Sequence, residues 1–146
     1  MKTPILTVMM CALAACGSPE HRGTPDPVGA AYVGIFHGAE VYLEAESAVS
    51  LADIERAVHR GLTYWSAADG ALDGWRVFFA PRDQVCQDIQ TSVTGCCEWN
   101  EHRITAAPID GCATAVVAHE IGHALIGDPG HLDPRWSGAE SVTLCD

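Results

Sequence analysis

Positive charge is scarce in this chain. Its 146 residues hold 8 Lys plus Arg against 19 Asp plus Glu, a formal charge of −11, and the only lysine is Lys2. A nucleic-acid partner is thereby excluded, because neutralising phosphates needs a basic surface. Methionine is confined to Met1, Met9 and Met10, and no tyrosine follows Tyr64. The C-terminal half must build any site without either residue type. There is no internal repeat, and the length bounds the chain to one ordinary domain. What is present argues for a packed core: 48 % hydrophobic residues, 18 % charged residues and four Trp, a balance that rules out wholesale disorder. The tryptophans are scattered, as core anchors are, and do not form a stacking platform.

Lys2 is followed by Ile5, Leu6, Val8, Met9, Met10 and Leu13 and then by small residues. This stretch, too short to span a bilayer in the mature protein, reads as a signal peptide over 1–15. Leu13-Ala14-Ala15-Cys16 resembles the bacterial lipoprotein box, which implies lipidation of Cys16; a plain secretory signal cleaved after Ala15 is the alternative. Both readings export the protein. Residues 16–30, with Gly17, Ser18, Pro19, Gly23, Pro25, Pro27 and Gly29, form a flexible tether, and the folded domain occupies 31–146. An acidic surface is repelled by anionic headgroups, so membrane attachment is expected through the N-terminal lipid only.

Beyond the tether lie Cys86, Cys96, Cys97, Cys112 and Cys145. In an exported chain disulfides are permitted, and no C-x-x-C pair marks a cysteine zinc site. Two bridges and one odd thiol are expected. Adjacent Cys96 and Cys97 look to different partners, Cys86 being one, and a Cys112 to Cys145 bridge would tie the tail to the start of the last helix.

From Glu40 to Glu46 apolar Val41, Leu43 and Ala45 alternate with Glu40, Tyr42, Glu44 and Glu46, the period of a half-exposed strand. Ser50 stands three residues before Asp53, a helix-start signature. Leu51, Ile54, Val58, Leu62 and Trp65 then recur at steps of three and four, which predicts a core-packing helix ending near Asp69-Gly70. Trp75 to Ala80, halted by Pro81, reads as a buried strand. Arg82 to Asn100 reads as a disulfide-stapled loop or hairpin, and His102 to Ala107 as a further strand. His37, His59 and His102 are expected to be ordinary surface residues.

Cys112 to Ile126 lacks proline and is rich in helix formers, with Asp110 near its start. Inside it stands His119-Glu120-Ile121-Gly122-His123. Four residues turn a helix through about 400°, so the two imidazoles project from one side, spaced for a single metal ion. Glu120 is placed to reach a metal-bound water and not the metal itself. With this chain's composition and length the pattern arises by chance in roughly 2 % of shuffled sequences, so its helical context matters. A catalytic zinc site takes three protein ligands and a water. His131 is the expected third, because Gly127 can end the helix in a left-handed conformation and Asp128-Pro129-Gly130 can turn the chain back. Asp128, Asp133 and Glu140 are the rivals.

The run H-E-I-G-H-A-L-I-G-D-P-G-H resembles the H-E-x-x-H-x-x-G-x-x-H zinc helix and turn of the metzincin metallopeptidases, with two residues inserted before the third His. The strand, helix, strand and zinc helix from about Val41 to His131 resemble their upper subdomain. The resemblance implies a small zincin-like α+β domain: a mixed twisted sheet, a packing helix, a zinc-binding active-site helix and a minimal C-terminal subdomain. It also implies Zn²⁺ held by His119, His123 and His131, with Glu120 as catalytic base for peptide-bond hydrolysis in a protein or peptide substrate extended along an edge strand, Glu101 to Ala107. Metzincins carry a methionine turn beneath the metal, which this chain lacks; Trp136 or a Cys145 bridge is expected in its place. The related gluzincins take a downstream Glu as third ligand, which would favour Glu140. A non-catalytic anchored lipoprotein that binds a partner, with zinc kept for stability or lost, is the competing reading, and a non-peptidase zinc hydrolase a third.

Overall fold

The computed structural model describes residues 27–86, 92–108 and 113–139. The signal segment, Cys16, Asp110, Cys112, Glu140 and Cys145 lie outside the described residues. The described chain is an α+β domain. Its strands are β1 (Ala31–Phe36), β2 (Ala39–Leu43), β3 (Arg76–Phe79), β4 (Gln84–Val85), β5 (Ser92–Val93), β6 (Gly95–Glu98) and β7 (Arg103–Ala106), and its helices are α1 (Leu51–Tyr64), α2 (Thr114–Ile126) and the single turn α3 (Trp136–Ala139). Five strands form a mixed sheet in the order β1-β2-β3-β7-β6, and β4 pairs with β5 as a separate hairpin. Strands β2, β3 and β7 run parallel, while β1 and β6 are antiparallel to their neighbours. No described helix is long and apolar enough to cross a membrane.

Alternation along the strands decides which face meets the helices. Val41, Val77, Phe79, Ile104 and Ala106 share one core with Ile54, Ala57, Val58 and Leu62 of α1 and with Val116, Val117 and Ile121 of α2. The intervening residues Tyr42 and Phe78 point to the opposite face, where their rings stack at 4.7 Å. Helix α1 begins as its sequence predicts: Ser50 Oγ accepts the Asp53 N–H at 3.2 Å and donates to the Asp53 carboxylate at 2.6 Å. It ends at Tyr64, before the expected Asp69-Gly70. Ser66 adopts a left-handed φ of 54°, the Ser66 N–H donates to the Thr63 carbonyl and the Ala67 N–H to the Leu62 carbonyl. This Schellman closure terminates the helix without a glycine.

Two strands escaped the sequence pattern. β1 is an exposed edge with irregular burial, and its register shifts between Tyr32 and Gly34. β6 lies within the cysteine-bearing stretch read as a loop or hairpin; that stretch is stapled, by Cys86–Cys96 with Cα atoms 5.8 Å apart, while Cys97 pairs with no described cysteine. A larger correction concerns the substrate strand. The segment Glu101 to Ala107 is not an edge, because the one-turn 3₁₀ helix Trp99–Glu101 and left-handed His102 (φ 47°) fold β6 back along the outside of β7. β6 is therefore the outer strand at this side of the sheet. Buried Arg103 secures the hairpin, its Nε donating to Glu98 at 2.6 Å and its guanidinium reaching Glu101 at 3.4 Å.

Helix α2 is wedged between α1 and strands β6 and β7. Its approach to α1 depends on Gly61, where a Cβ would stand 2.8 Å from Ile121 Cδ1 and 3.1 Å from Ala118 Cα. Trp65 at the end of α1 fastens the pair, its Nε1–H donating to the Ala118 carbonyl at 2.7 Å. Gly61→Val should push the helices apart and cost about 1–3 kcal/mol, the usual penalty for overpacking. Urea unfolding checks this, and an unchanged midpoint would show that the close approach is absent.

Candidate metal centre

Helix α2 presents His119 and His123 one turn apart, with ring centroids 4.8 Å apart. Gly127 closes the helix in the left-handed region, φ 63°, with its N–H on the His123 carbonyl at 2.9 Å. The next four residues reverse the chain. Asp128 Oδ1 accepts the Gly130 N–H at 3.1 Å, a side-chain-closed turn, and His131 follows with a left-handed φ of 55°. A residue with a Cβ pays about 1–2 kcal/mol for that conformation, which the surrounding bonds must offset. Its result is that His131 Nε2 lies 3.1 Å from His123 Nε2, which lies 3.2 Å from His119 Nε2.

These separations fit a cation. The His123 Nδ1 lies 3.0 Å from the Asp128 carbonyl oxygen, which can only accept, so Nδ1 carries the hydrogen and Nε2 presents a lone pair. Bonds of about 2.0–2.1 Å from one metal to tetrahedrally placed nitrogens would hold those nitrogens about 3.3 Å apart. The three side chains offer ligand atoms all within 4.8 Å of one another and can hold a metal ion; no other such cluster occurs among the described residues. Burial, reinforced by the neighbouring imidazoles, pushes the His119 pKa down to about 4. Burial lowers His123 as well, partly opposed by its bond to Asp128. Neutral imidazoles at ordinary pH are what coordination requires.

The two rival carboxylates among the described residues, Asp128 and Asp133, are engaged elsewhere. Asp128 Oδ2 accepts the Asp133 N–H at 2.8 Å and the Trp136 Nε1–H at 3.1 Å, and hydrogen bonds, foremost that from the Asp133 backbone, hold its carboxyl below the usual range. Asp133 is tied to Arg135 through Oδ1 at 2.9 Å and Oδ2 at 2.7 Å, which brings its pKa to about 2. His37, His59 and His102 stand apart from the cluster. His37 bonds Asp69 at 2.8 Å and lies tilted against His59, while His102 stacks on Trp75.

Glu120 is buried on α2 against strand β6. At Gly95 of β6 a Cβ would overlap Glu120 Oε1 and lie 2.7 Å from Val116 Cγ1, so the missing side chain is what lets the strand close over the carboxyl. Burial raises the Glu120 pKa to about 8. Burial also raises the Cys97 thiol, with the charges of Glu120 and Glu98 adding to the effect. Trp99 secures the far end of the helix, its Nε1–H donating to the His123 carbonyl at 2.7 Å. Beneath the imidazoles lies Trp136, with ring centroids 5.0 Å from His119, 4.7 Å from His123 and 4.4 Å from His131. The roles of Gly95 and Trp99 carry no local sequence signal, because each acts on a segment distant along the chain.

The two shifts make metal-free stability depend on pH in opposite directions. Glu120 ionises less readily folded than unfolded, so stability falls as pH rises from about 4.5 through 8; His119 protonates less readily folded, so stability falls as pH drops from about 6.5 through 4. In chelator, Glu120→Gln should gain thermal stability relative to the parent at pH 8 over pH 5. Parallel melting curves across that range would contradict the burial of its charge.

No protein family, curated protein or solved structure matches this chain. What the centre can do rests on its own geometry.

Proposed function

We propose that the protein is a zinc-dependent metallopeptidase. The observation that supports this reading is the convergence of three imidazole nitrogens, at 3.1 and 3.2 Å, two of them from a helix that also carries a buried carboxyl. His119, His123 and His131 would hold the metal. Zinc, when bound, supplies a Lewis acid and lowers the pKa of water toward about 7. The chain's own contributions are positioning and proton transfer. Glu120, whose charged form a bound cation would favour, takes a proton from the attacking water onto a carboxylate oxygen and passes it to the departing amine nitrogen, as the water's hydroxyl joins the carbonyl carbon and the C–N bond breaks. Strand β6, whose outer edge pairs with no strand among the described residues, offers that edge to the backbone of an extended protein or peptide substrate. The N-terminal sequence supports an exported protein anchored through lipid on Cys16, and the Cys86–Cys96 bridge suits an oxidising compartment.

Glu120→Gln separates the two duties. The variant should bind metal with the parent's stoichiometry and lose hydrolysis of a generic protein substrate, while chelation of the parent should abolish the same cleavage. A variant that cleaves at the parent's rate removes Glu120 as the base. Stoichiometric metal without turnover of any peptide by the parent would favour the non-catalytic reading. Gly95→Ala tests the placement of the carboxyl, because its methyl would meet Glu120 and Val116 first. Activity should fall by about 10²-fold with metal content unchanged, the usual consequence of moving a reacting group by 1 Å.

A further inference from the structure

Three imidazoles converge only if something prevents their rings from rotating or spreading, and bonds fix just one of them: His123, through its Nδ1 hydrogen on the Asp128 carbonyl. For His119 and His131 the described hydrogen bonds include only the contacts among the Nε2 atoms themselves. The surface common to all three rings is the indole of Trp136, within 5.0 Å of each.

That indole is itself held on two sides. Its Nε1–H donates to Asp128 Oδ2, and its ring meets Trp65 edge-on at 4.7 Å. Trp65 is in turn bonded to the Ala118 carbonyl, one residue before His119. Room for both rings comes from Gly122, in the middle of the His119 to His123 span. A Cβ there would overlap Trp65 Cζ2 and lie 2.8 Å from Trp136 Cη2. Any other residue at 122 would collide first with Trp65 and then crowd the Trp136 indole that rests against it.

We propose that Trp136 is the positioning residue of the metal centre: its ring, admitted by the bare Gly122 and held by Asp128, is the floor that keeps His119, His123 and His131 converged. A broad, rigid ring suits the task, since it touches three side chains and loses little rotamer freedom in doing so. Asp128 acts as a brace, joining the floor to His123 and to the turn that delivers His131.

This inference rests on the metal centre but not on peptide hydrolysis, so its test reads metal binding. The full chain is loaded with Co²⁺, and affinity is measured by competition with a chromophoric chelator while the visible d–d bands report coordination geometry. Trp136→Leu should weaken binding by about 10- to 100-fold, the usual effect of losing support around a ligand, and shift the bands. Trp136→Phe, which keeps a ring but not the Nε1–H, should restore affinity and spectrum close to those of the parent. A merely structural tryptophan would lower thermal stability in both variants and leave the bands unmoved. If Trp136→Leu fails to fold, Gly122→Ala takes its place, because its methyl displaces the indole with every ligand intact; the same loss is expected. Parent-like affinity and bands in the folded variant overturn the proposal and leave the triad standing, whereas a parent that binds no Co²⁺ removes the triad as a metal centre and the floor with it.

Discussion

His131 Nε2 and His119 Nε2 lie 3.1 and 3.2 Å from His123 Nε2. Side chains from a helix and from the turn beyond it come that close only when a shared proton or cation draws the nitrogens together or when the scaffold forces the approach. The scaffold here does force it. A left-handed His131, a helix end closed at Gly127 and the many bonds of Asp128 all serve to bring one nitrogen back to the other two. An accidental cluster of surface histidines would need none of these.

Glycine is the recurring device around the centre. Gly61 lets α2 lie close on α1, Gly95 lets β6 close over Glu120, and Gly122 admits the paired tryptophans beneath the imidazoles. In each case an added Cβ would meet another segment of the chain. The helix is thus gripped on three sides by contacts too close for side chains, which limits rocking of the ligands it carries. Cysteine and aromatic chemistry completes the grip where methionine is absent. The Cys86–Cys96 bridge fixes the strand that covers Glu120, and Trp136 occupies the space below the histidines.

Those features that depend on a residue and its near neighbours were legible in the sequence. The start of α1 at Ser50, the buried strand around Val77, the helix bearing His119 and His123 and the left-handed Gly127 follow from periodicity, helix propensity, capping or turn residues, and the α+β class was implied by the resemblance. His131 was legible as well, through the turn residues Asp128, Pro129 and Gly130. Long-range effects were not. Nothing local marks β1 as a strand or β6 as the outer edge, since β6 contains two cysteines and a glycine with no alternation. The edge that the resemblance implies, Glu101 to Ala107, lies inside the sheet because a reversal at His102 lays β6 along it. The end of α1 was misplaced because Ser66, an L residue, took the left-handed position that glycine usually marks. The bond between His123 and the Asp128 backbone has no side-chain signature at one end, so Asp128 read as a rival ligand and not as a brace.

If His119, His123 and His131 together bind one metal ion with a fourth position open, X-ray absorption at the zinc edge of the purified, zinc-loaded protein should show it. Four nitrogen or oxygen neighbours are expected at about 2.0–2.1 Å, with outer-shell scattering from three imidazole rings. Sulfur neighbours near about 2.3 Å, or fewer than three imidazoles, would contradict it.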